Sequence, residues 1–440
     1  MPAEITRLTD PCTGDVCVRM LHDSGLEIRV MEMPAFSTSY AQFGTRFGSV
    51  HRKFRCAGDA AYTEMPAGIA HYLEHKLFEN PDSSISAAFS RLGARDNAYT
   101  DFDRTVYYFQ TQQHFYEALE LLTGFVQEPY FTPESVERER GIIAQELREC
   151  LDDPADQVFF RMLGGLYPEH PVHTDVLGTE ESILRITPEM LYTCHELFYH
   201  PQNMVLCCAG NVEAEKILLL ADRMIKKRTP VQTELFRYPE QLPAGRLIRK
   251  KKMPVGKTQF AAGFRSSPES GAVRLRESLL CSLTAELLAG SSSQLYQRLL
   301  AEGLINDTFS TDCFAGDGWF TVLAEGESDA PEAVLDALCG EISRVKKEGA
   351  DRALFDTLKR AAYGDTVISM NHPEAACAAM LDSFIWDGIS PFARAEQLAQ
   401  LTADDVQTCL ETRFCTDHIC LSVIEPESLG KEESELCSVL

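Results

Sequence analysis

The chain has no C-x-x-C pair, and its 15 cysteines, an odd number, are scattered along 440 residues. That spacing excludes ribbon-type metal knuckles and thioredoxin-like redox motifs. It reads as a reduced, intracellular protein, with no disulfide framework. Cys12 and Cys17 are close enough for one small bridge, but free thiols are the expected state for most of the set. Cys207 and Cys208 sit in an apolar run that predicts a buried strand. A run of 18 apolar residues is also missing, so no membrane-spanning helix is expected. The first residues carry Glu4, Asp10 and Asp15 without an apolar core, so no signal peptide is expected and the expected location is cytoplasmic. Positive charge is scarce: the net charge is −25. This argues against nucleic acid or an anionic membrane as partner and suits a basic or neutral polypeptide better. Apolar and charged fractions of 45% and 24% are those of a folded globular protein.

What is present is concentrated in His71-Tyr72-Leu73-Glu74-His75. On a helix, histidines four apart lie one turn apart on one face, so both rings can reach a single Zn²⁺. Glu74 shares that face and is the candidate general base. The order is H-x-x-E-H, that of the inverzincins. Such sites need a third protein ligand. A later helix is predicted from Thr132, suited to the N-cap, and Pro133, suited to the first turn. On it Glu139 and Glu146 stand seven apart, two turns along one face, with Ile142 and Ile143 between them. A carboxylate in an apolar stripe needs a partner, because an unpaired buried charge is costly. The alternative is a solvated acidic face, the preferred reading for Glu134 and Glu137.

Together these residues resemble the pitrilysin/insulinase family of zinc peptidases, in particular its small bacterial two-domain members. In that family a third ligand glutamate follows H-x-x-E-H by some seventy residues, with another glutamate seven positions before it. Glu146 follows His75 by 71 positions, and Glu139 precedes Glu146 by seven. The family's strand motif matches Gly93-Ala94-Arg95-Asp96-Asn97-Ala98-Tyr99-Thr100, then Thr105-Val106-Tyr107. His170-Pro171-Val172-His173, Val176-Leu177-Gly178-Thr179, Phe198-Tyr199-His200-Pro201-Gln202-Asn203 and Ala209-Gly210-Asn211-Val212 match further segments. The resemblance implies one Zn²⁺ per chain on His71, His75 and Glu146. It implies Glu74 as base and Glu139 as the residue orienting a ligand histidine. Asn97 and Ala98 would lie on a sheet edge that takes the substrate as an added strand. The implied activity is zinc-dependent endopeptidase cleavage of peptides or small unfolded proteins inside a dimeric chamber. The alternative is a non-catalytic scaffold subunit of the same fold.

One segment departs from the family. Its second half usually presents an Arg and a Tyr, seven apart, in a stretch ending Gly-Leu-x-Tyr. Here Leu299 and Asn306 occupy those places, and Arg298 is one residue out of phase, about 100° around a helix. A homologous partner subunit supplying the Arg/Tyr pair is therefore expected, giving a heterodimer; a homodimer is the alternative.

A chain this long predicts two domains of about 200 residues. The expected division is a metal-binding domain over 1–230, a linker over 231–248, and a second domain of similar topology without a metal site over 249–440. The linker expectation rests on Pro230, Pro239 and Pro243 and on the basic run Arg249-Lys250-Lys251-Lys252, read as a solvated flank. Periodicity predicts strands over 40–50, 258–264, 309–314 and 318–324, with others near Asn97 and Val106. It predicts helices over 115–125, 133–150, 276–288, 294–302, 331–347 and 352–363. The expected fold class is α+β: two similar halves, each a mainly antiparallel sheet with helices on one face. The helix over 276–288 takes the place of the metal helix without a histidine. His170, His173, His195, His200, His372 and His418 fall outside the ligand spacing and are expected to be structural.

Overall fold

A computed structural model of the chain describes residues 4–79, 84–229, 231–239, 245–386 and 388–427. The first half runs β1 (Glu4–Thr9), β2 (Val16–Leu21), β3 (Glu27–Glu32), β4 (Ser39–Thr45), β5 (Lys53–Cys56), β6 (Thr63–Glu64), α1 (Ile69–Leu77) and α2 (Ile85–Arg91). It continues through β7 (Arg95–Thr100), β8 (Thr105–Thr111), α3 (Phe115–Gln127), α4 (Pro133–Asp152), α5 (Pro154–Leu166), α6 (Glu180–Ile183), α7 (Pro188–Phe198), β9 (Met204–Gly210), α8 (Ala214–Met224) and β10 (Thr233–Leu235). The second half runs β11 (Gly245–Met253), β12 (Gln259–Arg265), α9 (Gly271–Ala289), α10 (Gln294–Ala301), β13 (Ser310–Gly316) and β14 (Trp319–Glu327). Then come α11 (Pro331–Glu348), α12 (Arg352–Ser369), α13 (Pro373–Ile385), α14 (Ala393–Gln400), α15 (Asp405–Thr412) and β15 (His418–Pro426).

The two large sheets repeat one topology. The first is ordered β1-β2-β3-β9-β4-β8-β7 and the second β11-β15-β12-β14-β13. Strands β3, β9, β4, β8 and β7 correspond one to one with β11, β15, β12, β14 and β13. The β3–β9 and β11–β15 pairs are parallel and the other pairs of both sheets antiparallel. The β1–β2 hairpin is an addition that covers β3. The expected α+β class with two similar halves is the observed one. One face of the first sheet packs on its own α1, α3 and α8, and one face of the second on its own α9 and α11.

The other face of each sheet is covered by a helix of the opposite half. Helix α13 lies on β9 and β4, burying Cys377, Met380, Leu381 and Phe384 against Val106, Val205 and Cys207. Helix α5 lies on β15 and β12, burying Val158, Met162, Leu163 and Leu166 against Ala261, Leu323, Cys420 and Ile424. Each fully buried aliphatic or aromatic side chain contributes about 1.5–3 kcal/mol. The halves are therefore joined through two cores.

The expected linker over 231–248 differs from what is found. Strand β10 returns to the first half and pairs with β5, and β11 already begins at Gly245. Pro230 and Pro243 lie outside the described residues. The basic run Arg249–Lys252 is part of β11, paired in parallel with Ser422 to Glu425 of β15. Its side chains at Arg249, Lys250 and Lys252 are exposed, as a solvated run should be, but its backbone is in a strand instead of a linker. The strand expected over 40–50 stops at Thr45. Beyond it the chain turns, and Gly48 fits within 2.4 Å (from an added Cβ) of the Asp101 carbonyl.

Candidate metal centre

Helix α1 starts on Gly68, whose φ of 85° is left-handed and suits a residue without a Cβ. A Cβ there would lie 2.2 Å from the Leu177 carbonyl oxygen; one on Gly178 (φ +87°) would lie 2.5 Å from that of Ala67. Two backbones thus touch at the start of the helix, and Ser182 Oγ donates to the Ala67 carbonyl at 2.8 Å. The Val176–Thr179 motif is what seats α1. Its buried residues include Ile69, Ala70, Tyr72, Leu73 and Leu77, which leave His71, Glu74 and His75 on the face turned toward α4 and β7.

Thr132 caps α4 as expected, accepting from Ser135 N–H in a reciprocal capping box, with Pro133 in the first turn. Glu139 and Glu146 face α1, whereas Glu134 and Glu137 are exposed. Glu146 Oε1 stands 3.7 Å from His71 Nε2, and its Oε2 stands 3.6 Å from His75 Nε2. The two rings are 4.5 Å apart between centroids. These separations are too long for hydrogen bonds. They are close to the spacing of about 3.4 Å between two ligands of a tetrahedral ion bound at about 2.0–2.1 Å. The donor set of two imidazoles and one carboxylate therefore fits Zn²⁺. It is the one group of three metal-capable side chains among the described residues, with all three ligand atoms within 4.8 Å of one another.

The surroundings set the charge states. Glu139 Oε1 lies 2.9 Å from His75 Nδ1. That hydrogen bond holds the Glu139 carboxyl below its ordinary range. Burial would lower the His75 pKa, but the bond to Glu139 and the charges of Glu74 and Glu146 raise it. His71 is more deeply buried, and burial with the neighbouring His75 pushes it down to about 3, so it is a neutral donor at physiological pH. Its Nδ1 is buried and makes no hydrogen bond among the described residues. Glu74 is buried, and burial raises its pKa against the opposing hydrogen bond donated by Thr100 Oγ1 at 2.9 Å. Behind it Tyr107 and Tyr199 share a buried hydrogen bond of 2.8 Å between their hydroxyls. A carboxylate with a raised pKa, open to the ligand face and closed behind, is suited to accept and return a proton.

Strand β7 is the last strand of its sheet. Asn97 and Ala98 lie on it, opposite Tyr108 and Tyr107 of β8, and the Ala98 N–H donates to the Asn97 side-chain oxygen at 2.9 Å. Thr100, on the same strand and within the same sequence motif, is the hydrogen-bond partner of Glu74. The remaining histidines are elsewhere. His195 Nε2 donates to the Val126 carbonyl at 2.9 Å, His170 and His200 cap short 3-10 turns, and His372 precedes α13. Cys12 and Cys17 are both free thiols.

In the second half, α9 occupies the place of α1 and contributes core residues such as Leu279, Leu283 and Leu287. Leu299 is buried in the same core. Arg298 is on the exposed side of α10. Asn306 donates to Glu327 at 2.7 Å and accepts from Thr308.

Residues 56–180 match the model of the insulinase family, peptidase family M16, and residues 185–362 match that of the peptidase M16 inactive domain. The chain is 34% identical over 410 residues to a Bacillus subtilis protein named "Uncharacterized zinc protease YmfH", covering 92% of this chain and 95% of that protein. Its fold is similar to the crystal structure of an M16-like peptidase from Alicyclobacillus acidocaldarius, with TM-score 0.87, 30% identity and coverage of 97% and 99%. A protease from Helicobacter pylori shares the fold at TM-score 0.79 and 18% identity, with coverage of 97% and 100%. The two family models meet within the first half, between Glu180 and Arg185, and together span most of the chain. With identity of this extent running through both halves, the chain belongs to the insulinase family, peptidase family M16.

Proposed function

We propose that this chain is a zinc-dependent endopeptidase and the metal-bearing subunit of a heterodimer that encloses peptides or small unfolded proteins. The observation that carries the reading is the donor set itself. His71, His75 and Glu146 stand at ligand spacing, with buried Glu74 on the same helix face. A bound Zn²⁺ supplies a Lewis acid and makes water a nucleophile near neutral pH. The protein's own groups do the rest. Glu74 takes a proton from the attacking water and returns it to the leaving amine. Glu139 fixes the ring orientation and tautomer of His75. The free edge of β7 at Asn97 and Ala98 pairs with an extended peptide through its backbone, which gives affinity with little side-chain selectivity.

The heterodimer reading rests on Leu299 and Asn306. The first is in the core and the second is held by Glu327 and Thr308, so neither offers a cation or a phenol to a substrate. A homologous chain presenting those groups completes the site.

The experiment is a zinc determination joined to cleavage of a quenched peptide library, by the chain alone and with a homologue that lacks H-x-x-E-H. Zinc near one per chain, with cleavage that rises at least tenfold on adding the homologue, is the expected result. Vigorous cleavage by the chain alone would remove the heterodimer, and absence of zinc would remove the peptidase reading.

A further inference from the structure

Both helices that carry the metal donors are tied to the second half by one continuous segment. Helix α4 ends at Asp153, which also caps the start of α5. Its N–H donates to the Cys150 carbonyl and its side chain accepts from Ala155 N–H, with Pro154 in the first turn of α5. Asp153 alone, in an extended conformation (φ −80°, ψ 116°), separates the two helices, so α5 follows directly on the helix holding Glu146 and packs against it. The buried contacts of α4 end at Leu147, one residue past the ligand; Arg148 to Gln157 contain no buried residue, and Arg148 reaches α6 through an exposed ion pair with Glu180 at 3.1 Å. The next buried side chain is Val158, and it is buried in the core shared with the second sheet.

Helix α5 then docks closely. A Cβ on Gly165 would meet Cys420 Sγ on β15 at 2.3 Å. At the end of the helix the Tyr167 hydroxyl lies 2.7 Å from Thr321 Oγ1 and accepts from Phe320 N–H at 3.0 Å, both on β14. From there the chain returns through Val172, in the same core, to Leu177 and Gly178. Those residues press on Ala67 and Gly68 at the start of α1. The excursion over 153–178 thus leaves from the helix of Glu146, is anchored in the second half, and comes back to the helix of His71 and His75.

We propose that the docking of α5 on the second sheet is a positioning device for the metal centre: the half without ligands sets the spacing of Glu146 against the two histidines. The physical ground is that close-packed interiors transmit displacement instead of absorbing it. A metal site also loses affinity when donors leave their geometry by a few tenths of an ångström. Gly165 and Tyr167 are positioning residues in this scheme, acting at a sheet of the other half with no donor atom of their own at the metal. The inference rests on the zinc reading above.

The test is zinc affinity of the full chain, by competition with a chromogenic chelator, alongside thermal unfolding. Gly165→Ala drives a Cβ into Cys420 and is expected to weaken zinc binding at least tenfold. The double variant Gly165→Ala/Cys420→Ala removes the sulfur and is expected to return to within about threefold of wild type. Tyr167→Phe keeps the volume, removes both hydroxyl hydrogen bonds, and serves if the first variant does not fold; it is expected to weaken zinc at least threefold. A Gly165→Ala or Tyr167→Phe protein that melts earlier but binds zinc within twofold of wild type would overturn the proposal, leaving the dock purely structural. Absence of zinc binding by the wild-type chain, or full binding by His71→Ala, would instead sink the metal reading itself.

Discussion

Glu139 Oε1 sits 2.9 Å from Nδ1 of His75, which leaves Nε2 of that ring as the atom facing Glu146. One hydrogen bond therefore selects the tautomer that can donate to a metal. Glu139→Gln keeps the shape but loses the charge. It is expected to weaken zinc binding by about 10–100-fold, read by chelator competition, with the folded structure unchanged by circular dichroism.

Glu74 is not among the three donors, so metal and catalysis should separate there. Glu74→Gln is expected to bind zinc at wild-type stoichiometry while peptide cleavage falls by about 10²–10⁴-fold. Near wild-type turnover by this variant would reassign the base.

Glu146 is the donor contributed by α4, and it makes no hydrogen bond among the described residues that would hold it in place for another purpose. Glu146→Ala is expected to leave the chain folded and stripped of zinc after dialysis, measured by metal analysis. Full occupancy would move the third ligand elsewhere.

His195 gives a pH signature of stability away from the metal. Burial pushes it down to about 4, and its Nε2 donates to the Val126 carbonyl. The folded state thus binds fewer protons than the unfolded chain, whose histidine titrates near 6.5. Stability should be unaffected by this group above about pH 6.5 and fall as pH drops toward 4, by up to about 3 kcal/mol. Urea unfolding of wild type and His195→Gln across that window checks it: the variant should lose less stability on acidification.

Leu381 on α13 is 1% exposed and packed on the sheet of the first half. Leu381→Ala is expected to cost about 2–5 kcal/mol, lowering the denaturation midpoint of both halves together. Independent unfolding of the two halves would show that the exchanged helices do not couple them.

How far each feature was legible in the sequence depends on the range of the interactions that make it. His71, Glu74 and His75 fall on one face because helical spacing is local, and the seven-residue step from Glu139 to Glu146 obeys the same rule. The start of α4 was legible because Thr132 and Pro133 act on the first turn alone. Strands β10 and the start of β11 are not legible in the sequence, because charge and proline content describe solvation, whereas these strands form through pairing with β5 and β15, distant in sequence. Thr100 gave no signal of its own, since a threonine in a strand is ordinary until a neighbouring helix places Glu74 against it.

The sequence by itself determined that His71, Glu74 and His75 share one helix face, and Glu139 and Glu146 another, since both follow from residue type and short-range periodicity; that the two faces belong together came from the family resemblance. The tertiary structure decided where those helices are held. Val158, Met162 and Leu166, spaced by fours on α5, form the same apolar stripe whichever sheet they cover. Only the packed chain shows that they cover the sheet of the other half. Hydrophobic burial carries no address; close packing of particular shapes supplies it.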